Sequence, residues 1–337
     1  MALEQYRAAM LPAIEEALKA VVQRASSKGQ EALHAMLTYH LGWEGEGAGP
    51  RATGKRIRPT LLLLCTAAAQ DEWHKALPAA AAVELLHNFS LIHDDIQDKS
   101  EQRRGRPTLW HLHGVPQAIN AGDAMFALAH MALEDLETAS SSLVYLEAAR
   151  LLPRTSLQLT QGQHLDLAYE SMEKLSTDAY WPMVWGKTAM LIRACTHLGA
   201  LVAGAGGVQL KAYMVFGEKL GLAYQVHDDL LGIWGDPDEM GKSAHSDLLS
   251  GKKSLPVLFA LNQNGEFARR WKNGGVNSVE VRELADLLEA EGGRDYAREQ
   301  SNRLTTEALE ALAAAKPETD AGGALAELAE ELGTREV

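Results

Sequence analysis

Along almost the whole chain, apolar residues recur at spacings of three and four, and alternating runs of Val, Ile and Thr are absent. That pattern predicts amphipathic helices and no sheet, so the expected fold class is all-α. Pro59, Pro78, Pro116 and Pro182 stand where first helical turns can begin. Gly114, Gly204 to Gly207, and Gly274 to Gly275 stand where helices can end. Residues 44–54, 235–251 and 316–323 read as surface loops. No break in composition divides the chain, and the chemically unusual residues run from Lys55 to Lys252. A single helical domain over 1–337 is therefore expected, with a motif-bearing core over 54–260 and an acidic, Ala-rich extension over 263–337.

Two of the predicted helices carry carboxylates among apolar residues. Leu85, Phe89, Ile92 and Ile96 step by four, three and four, and His87, Leu91, Asp94 and Asp98 form the neighbouring stripe with the same steps. Asp94 and Asp98 thus project from successive turns, with Asp95 beside them. A second helix, 221–234, sets Asp228 and Asp229 in a similar frame, with Gln225 one turn before Asp229. Buried carboxylates are normally paired, protonated or bound to metal. Oxygen ligands without cysteine suit a hard divalent cation, and Mg2+ typically binds through one or two carboxylates plus water and phosphate oxygens.

Charge changes this picture by what it excludes. Lys and Arg total 32 against 45 Asp and Glu, a net charge of -13, so a nonspecific nucleic-acid binder is disfavoured. Phosphate chemistry here needs local cations, and they occur in order along the chain. Lys55 and Arg58 precede the predicted helix start at Pro59, and Arg103, Arg104 and Arg106 follow Asp98. Lys187 lies with Thr188 in an apolar segment, where an ammonium needs a partner. Lys242, Lys252 and Lys253 follow the second acidic helix. Cys65 and Cys195 have no ligand or redox spacing and read as core residues of a reducing compartment. The start of the chain lacks a signal-peptide pattern and no segment reads as a membrane span, which makes the cytoplasm the expected location.

The ordered segments GKRIRP, LLHNFSLIHDDIQDKSEQRRGRPT, GDAMFALA, GQHLDL, GKTAML and GLAYQVHDDLLGIWGD with GKSAHSDLLSGKKSLP resemble the trans-isoprenyl diphosphate synthases, the polyprenyl synthetase family. The resemblance implies the isoprenoid synthase fold, a helical bundle around a central cavity, usually dimeric. It implies that Asp94 and Asp98 bind the Mg2+ ions holding an allylic diphosphate and that Asp228 binds the remaining one of three. Asp95 and Asp229 are secondary metal candidates. By the same resemblance, Arg103, Lys187, Lys242 and Lys252 contact the allylic diphosphate, while Lys55, Arg58, His87 and Arg104 bind isopentenyl diphosphate. The carbonyl of Lys187 and the oxygens of Thr188 and Gln225 would face the allylic cation. The implied reaction is a Mg2+-dependent condensation giving a short all-trans product.

Phe89, Ser90 and Leu86 precede Asp94 by five, four and eight residues, one or two turns below the metal motif. An aromatic at the fifth position resembles the short-chain pattern, so a C20 product is expected, with C15 next. Three positions depart from the family pattern: Gly232 replaces the third aspartate of the second motif, His245 a frequent glycine, and GTREV with Arg335 a basic end. Gly232 invites an alternative, a terpene synthase-like lyase acting without isopentenyl diphosphate. A non-catalytic partner subunit is a further rival, opposed by the complete DDIQD.

Overall fold

The computed structural model describes residues 2–69, 72–235, 245–272 and 280–333. The longer helices are α1 (Ala2–Val22), α2 (Glu31–His40), α3 (Ile57–Ala68), α4 (Leu77–Gln97), α5 (Val115–Glu134), α6 (Ser142–Glu170) and α7 (Met190–Val202). They continue as α8 (Gly207–Trp234), α9 (Leu255–Gln263), α10 (Glu266–Lys272), α11 (Glu280–Ala290), α12 (Gly293–Ala314) and α13 (Asp320–Gly333). The expectation of an all-α chain holds, with one addition. Gln102–Arg103 and Arg106–Pro107 pair antiparallel across a two-residue turn, Arg104 and Gly105, whose φ angles are 54° and 75°. Both central residues need positive φ in such a hairpin, and four paired residues are too few to leave an alternating pattern.

Helix starts follow the prolines closely. Pro78 and Pro116 lie in the first turns of α4 and α5, where no N–H is missed. α3 begins at Ile57 rather than at Pro59, so Arg58 sits inside its first turn. Arg56 caps that helix in the left-handed region, φ 47°. α7 ends ahead of Gly204, φ 78°. Gly274 and Gly275 lie outside the described residues.

Backbone contacts divide the chain into two compact units. One comprises residues 1–154, 194–213 and 315–325, the other 155–193, 214–314 and 326–337. The first division falls just after Pro153, which interrupts the hydrogen-bond ladder inside α6.

In the first unit, α4 packs on α5, α3 and α1. Its successive alanines, Ala79 to Ala82, are all buried and admit close neighbours. At Gly122 of α5 a Cβ would lie 2.3 Å from Nε2 of His93 on α4, so only glycine allows that approach. Leu61 to Leu64 of α3 are wholly buried on every side, each stabilising the core by roughly 2 kcal/mol. In the second unit, Tyr180, Val226, Leu255, Leu258 and Leu304 belong to one core, and Ile233, Phe267, Leu284 and Leu288 to another.

Candidate active site

In the first unit, the end of α4 sorts its three aspartates by accessibility. Asp94 is half-buried and Asp98, the residue that closes the helix, is exposed. Asp95 is buried, 2% exposed. The sequence pattern placed Asp94 and Asp98 in buried surroundings; the buried carboxylate is Asp95, because the hairpin folds back over it. Nε of Arg103 donates to both Asp95 oxygens at 2.9 and 3.1 Å, and its Nη2 reaches Oδ1 at 2.8 Å. Burial pushes the Asp95 carboxyl up and Arg103 pulls it back, leaving it raised on balance.

Behind this lies a group of guanidinium ions with differing partners. Arg56 is held by Glu84 at 2.8 Å and Glu15 at 2.6 Å. Arg58 donates through Nη1 to Nε2 of His87 at 3.0 Å, so the imidazole accepts and carries its proton on Nδ1. Burial and then the Arg58, Arg104 and Arg103 charges hold His87 well below its ordinary range, hence neutral. Burial and then the Arg103, Arg104 and Arg56 charges push His40 down to about 3. Arg104 donates to the carbonyls of Ala52 and Thr53 at 2.9 and 3.0 Å and lies over Gly54, where a Cβ would meet its Cζ at 2.6 Å. Lys55 is exposed nearby in sequence. Arg106 binds three carbonyls, of Tyr39, Glu44 and Glu46, and so orders the 44–54 loop.

Leu86 and Ser90 are buried. Phe89 is half-buried and meets His93 edge-on at 4.8 Å and Phe126 of α5 at 5.1 Å.

In the second unit, two motif glycines place Lys187 and Thr188. A Cβ on Gly162 would lie 2.0 Å from the Lys187 nitrogen, and one on Gly186 would lie 2.9 Å from Gly162 Cα. The chain there widens into a π-helical turn, Trp185–Ala189. The ammonium of Lys187 pairs with Asp166, a partner the sequence reading did not name. Thr188 Oγ1 donates to Gln225 Oε1 at 2.6 Å. Asp228 is half-buried, whereas Asp229 is 1% exposed. Asp229 accepts from Tyr180 OH (2.7 Å), Lys252 Nζ (3.0 Å), the Leu255 amide (3.1 Å) and Gln225 Nε2 (3.2 Å). With both its oxygens engaged, Asp229 is placed as an anchor, as Asp95 is. Burial opposes the charge of Lys252, but Asp229, Asp247 and Asp228 outweigh it and hold the ammonium protonated well above its usual range. Tyr180 and Asp247 also escaped the sequence reading, since neither sits in an acidic doublet. Lys242 and Arg335 lie outside the described residues.

Among the described residues no three His, Cys, Asp or Glu side chains are gathered to hold an ion by themselves. The donors offered, Asp94 with Asp98 and, separately, Asp228, are few, oxygen-only and at least partly open to solvent. That set fits Mg2+, which keeps waters and takes substrate phosphates as further ligands.

A family model described as Polyprenyl synthetase matches residues 49–289. A (2E,6E)-farnesyl diphosphate synthase of Mycobacterium tuberculosis is 40% identical over 291 residues, covering 83% of this chain and 80% of its own. A geranylgeranyl diphosphate synthase of the same organism is 39% identical over 305 residues, covering 88% and 85%. The solved structure of a polyprenyl synthetase from Streptomyces coelicolor A3(2) matches with a TM-score of 0.86 at 35% identity, covering 98% of both chains. No helix among the described residues is long and apolar enough to cross a membrane.

Proposed function

Because this chain belongs to the polyprenyl synthetase family and has its all-helical isoprenoid synthase fold, we propose that it is a trans-prenyltransferase condensing isopentenyl diphosphate with an allylic prenyl diphosphate. The observation that carries this reading is the group Arg58, His87 and Arg104. Their hydrogen bonds go to one another or to backbone carbonyls rather than to the acidic motif. A second anion can therefore be held apart from the first, which a one-substrate lyase has no need to do. The named relatives are synthases, and nothing among them favours the lyase.

Asp94 and Asp98 would hold two of three Mg2+ ions and Asp228 the third, in a family that uses this metal. When bound, the ions would supply positive charge to the allylic diphosphate leaving group. Lys187, Lys252 and Arg103 are each positioned by a carboxylate and add their charge to that leaving group. Lys55, Arg58 and Arg104 clamp isopentenyl diphosphate, and the neutral His87 donates from its remaining N–H. Holding both substrates converts attack of the double bond on the allylic cation into a near-unimolecular step. The carbonyl of Lys187 and the paired oxygens of Thr188 and Gln225 face that cation, and departing diphosphate takes the proton.

Phe89, with Leu86 and Ser90, ends the channel for the growing chain, giving a C20 product with C15 next. The two compact units act as one polyprenyl synthetase domain, in keeping with a family match that runs through segments of both. A cytoplasmic homodimer completes the reading, in keeping with the buried free thiols Cys65 and Cys195.

Pure protein with Mg2+, isopentenyl diphosphate and dimethylallyl, geranyl or farnesyl diphosphate should yield longer prenyl diphosphates by mass spectrometry, only when both substrates are present. Hydrocarbons or alcohols formed from the allylic substrate alone would overturn the reading in favour of a lyase.

A further inference from the structure

Arg56 stands between Lys55 and Arg58, two members of the isopentenyl diphosphate set, without belonging to that set itself. Lys55 is exposed, whereas Arg56 is only 4% exposed. Arg56 has φ 47° and ψ 40°, in the left-handed region, and Gly54, two residues earlier, has φ 76°. Glycine adopts positive φ without a clash, but arginine carries a Cβ and does so at a cost. Such a conformation persists only where its surroundings hold it.

Two carboxylates hold it. Nη1 of Arg56 donates to Glu84 Oε1 at 2.8 Å, Nε to Glu15 Oε1 at 2.6 Å, and Nη2 to the Leu41 carbonyl at 3.3 Å. Each carboxylate is fixed in turn. Glu84, 3% exposed, also accepts from Asn88 Nδ2 at 3.0 Å, and Glu15 accepts from Trp43 Nε1 at 2.6 Å. One guanidinium thus joins α1, the start of α3 and α4, all in the first unit. Glu84 lies one turn before His87 on α4. Arg56 to Glu84 and Arg58 to His87 are therefore neighbouring rungs between the same two segments, and the first sets the register in which the second forms. Charge points the same way. Arg56, Arg103 and Arg58 all press on Arg104, and Glu84 is the carboxylate that opposes them, so the pair keeps the cations gathered.

We propose that Arg56 is a positioning residue for the second substrate, its ion pairs with Glu15 and Glu84 holding the left-handed turn that aims Lys55 and Arg58 at isopentenyl diphosphate. The inference rests on the reading of Lys55, Arg58, His87 and Arg104 given above.

The test is steady-state kinetics of the full chain with Mg2+ and both diphosphates, giving KM for each substrate beside kcat, with urea denaturation for stability. Arg58→Ala marks the site and should raise KM for isopentenyl diphosphate alone. Arg56→Lys keeps the charge but cannot fork to two carboxylates, and Glu84→Gln keeps the shape but removes one charged partner. Each should raise KM for isopentenyl diphosphate by about 10-fold and change that for the allylic diphosphate by less than about 2-fold. Glu84→Gln disturbs a buried pair and can unfold the chain, so Glu15→Gln, at the half-buried end of the same network, is measured beside it and should shift the same KM in the same direction. The proposal is overturned if KM for isopentenyl diphosphate stays at the wild-type value in Arg56→Lys and Glu15→Gln, if both KM values rise together, or if only kcat and stability fall. Wild-type turnover with a response to Arg58→Ala but none to Arg56→Lys removes only the role of Arg56. Absence of wild-type condensation removes the prenyltransferase reading and this inference with it.

Discussion

The two acidic doublets, Asp94–Asp95 and Asp228–Asp229, are built alike and differ in what surrounds them. In each, the first carboxylate is partly accessible and the second is buried and fully bonded. Asp95 is held by the single guanidinium of Arg103 from the hairpin. Asp229 is held by a hydroxyl, an amide side chain, a backbone N–H and an ammonium from separate segments. The third position also differs, being Asp98 at the end of α4 and Gly232 on α8. A doublet of this kind thus pairs one partly accessible carboxylate with one that is buried and bonded through both its oxygens.

The strongest way to break the comparison is Asp94→Ala. Turnover should fall by about 10³-fold with the melting temperature nearly unchanged. A near-normal rate in a product-formation assay would remove Asp94 from the site.

Next come the two members of the second doublet. Asp229→Asn disrupts a buried charge pair and should cost about 3 kcal/mol of stability in urea denaturation. Asp228→Asn should leave stability almost untouched while slowing catalysis, and equal melting losses for both would erase the distinction.

The third prediction concerns the positive surroundings of the first doublet. His40, held near 3 in the folded protein, takes up a proton on unfolding below its ordinary value, so its contribution to stability is full above about pH 6.5 and lost as pH falls. Asp95 and Asp247, both raised, act in the opposite sense at the acid end. His40→Gln should therefore shrink the stability lost between pH 7 and pH 5 by about 2 kcal/mol relative to wild type. An unchanged difference would mean that His40 is protonated in the folded state.

The smallest effect is expected at Phe89. Phe89→Ala should shift the products towards longer chains by mass spectrometry, though Phe126 remains against the same space. An unaltered distribution would remove Phe89 from chain-length control.

Much of this was legible in the sequence, because periodicity of three and four is a local property that tertiary contacts seldom reverse. The helices, the proline starts and the two doublets all belong to that class. Which member of a doublet is accessible was not legible. Asp94 and Asp95 differ by only about 100° around the helix, and the choice between them is made by Arg103 from beyond the helix end. Lys187 was recognised as needing a partner, but nothing in the spacing names Asp166, twenty-one residues earlier. Gly162 and Gly186 stood within recognised motifs, yet only the structure shows that each is small because of the other. That the Asp247 carboxyl lies beside Gly232 was likewise beyond what the spacing shows.

The π-helical turn at Trp185–Ala189 has a consequence for how this chain can change over time. Each residue inserted into or deleted from a helix turns everything beyond it by about 100°. The wide turn holds about one residue more than an ordinary helical turn, so removing one here would let it relax to an α-helix with Arg193 still facing Glu218, 3.5 Å distant, and Cys195 still buried. Adding one more residue would instead put the whole of α7 out of phase. Loss of a residue in this stretch should therefore be accepted far more readily than a gain.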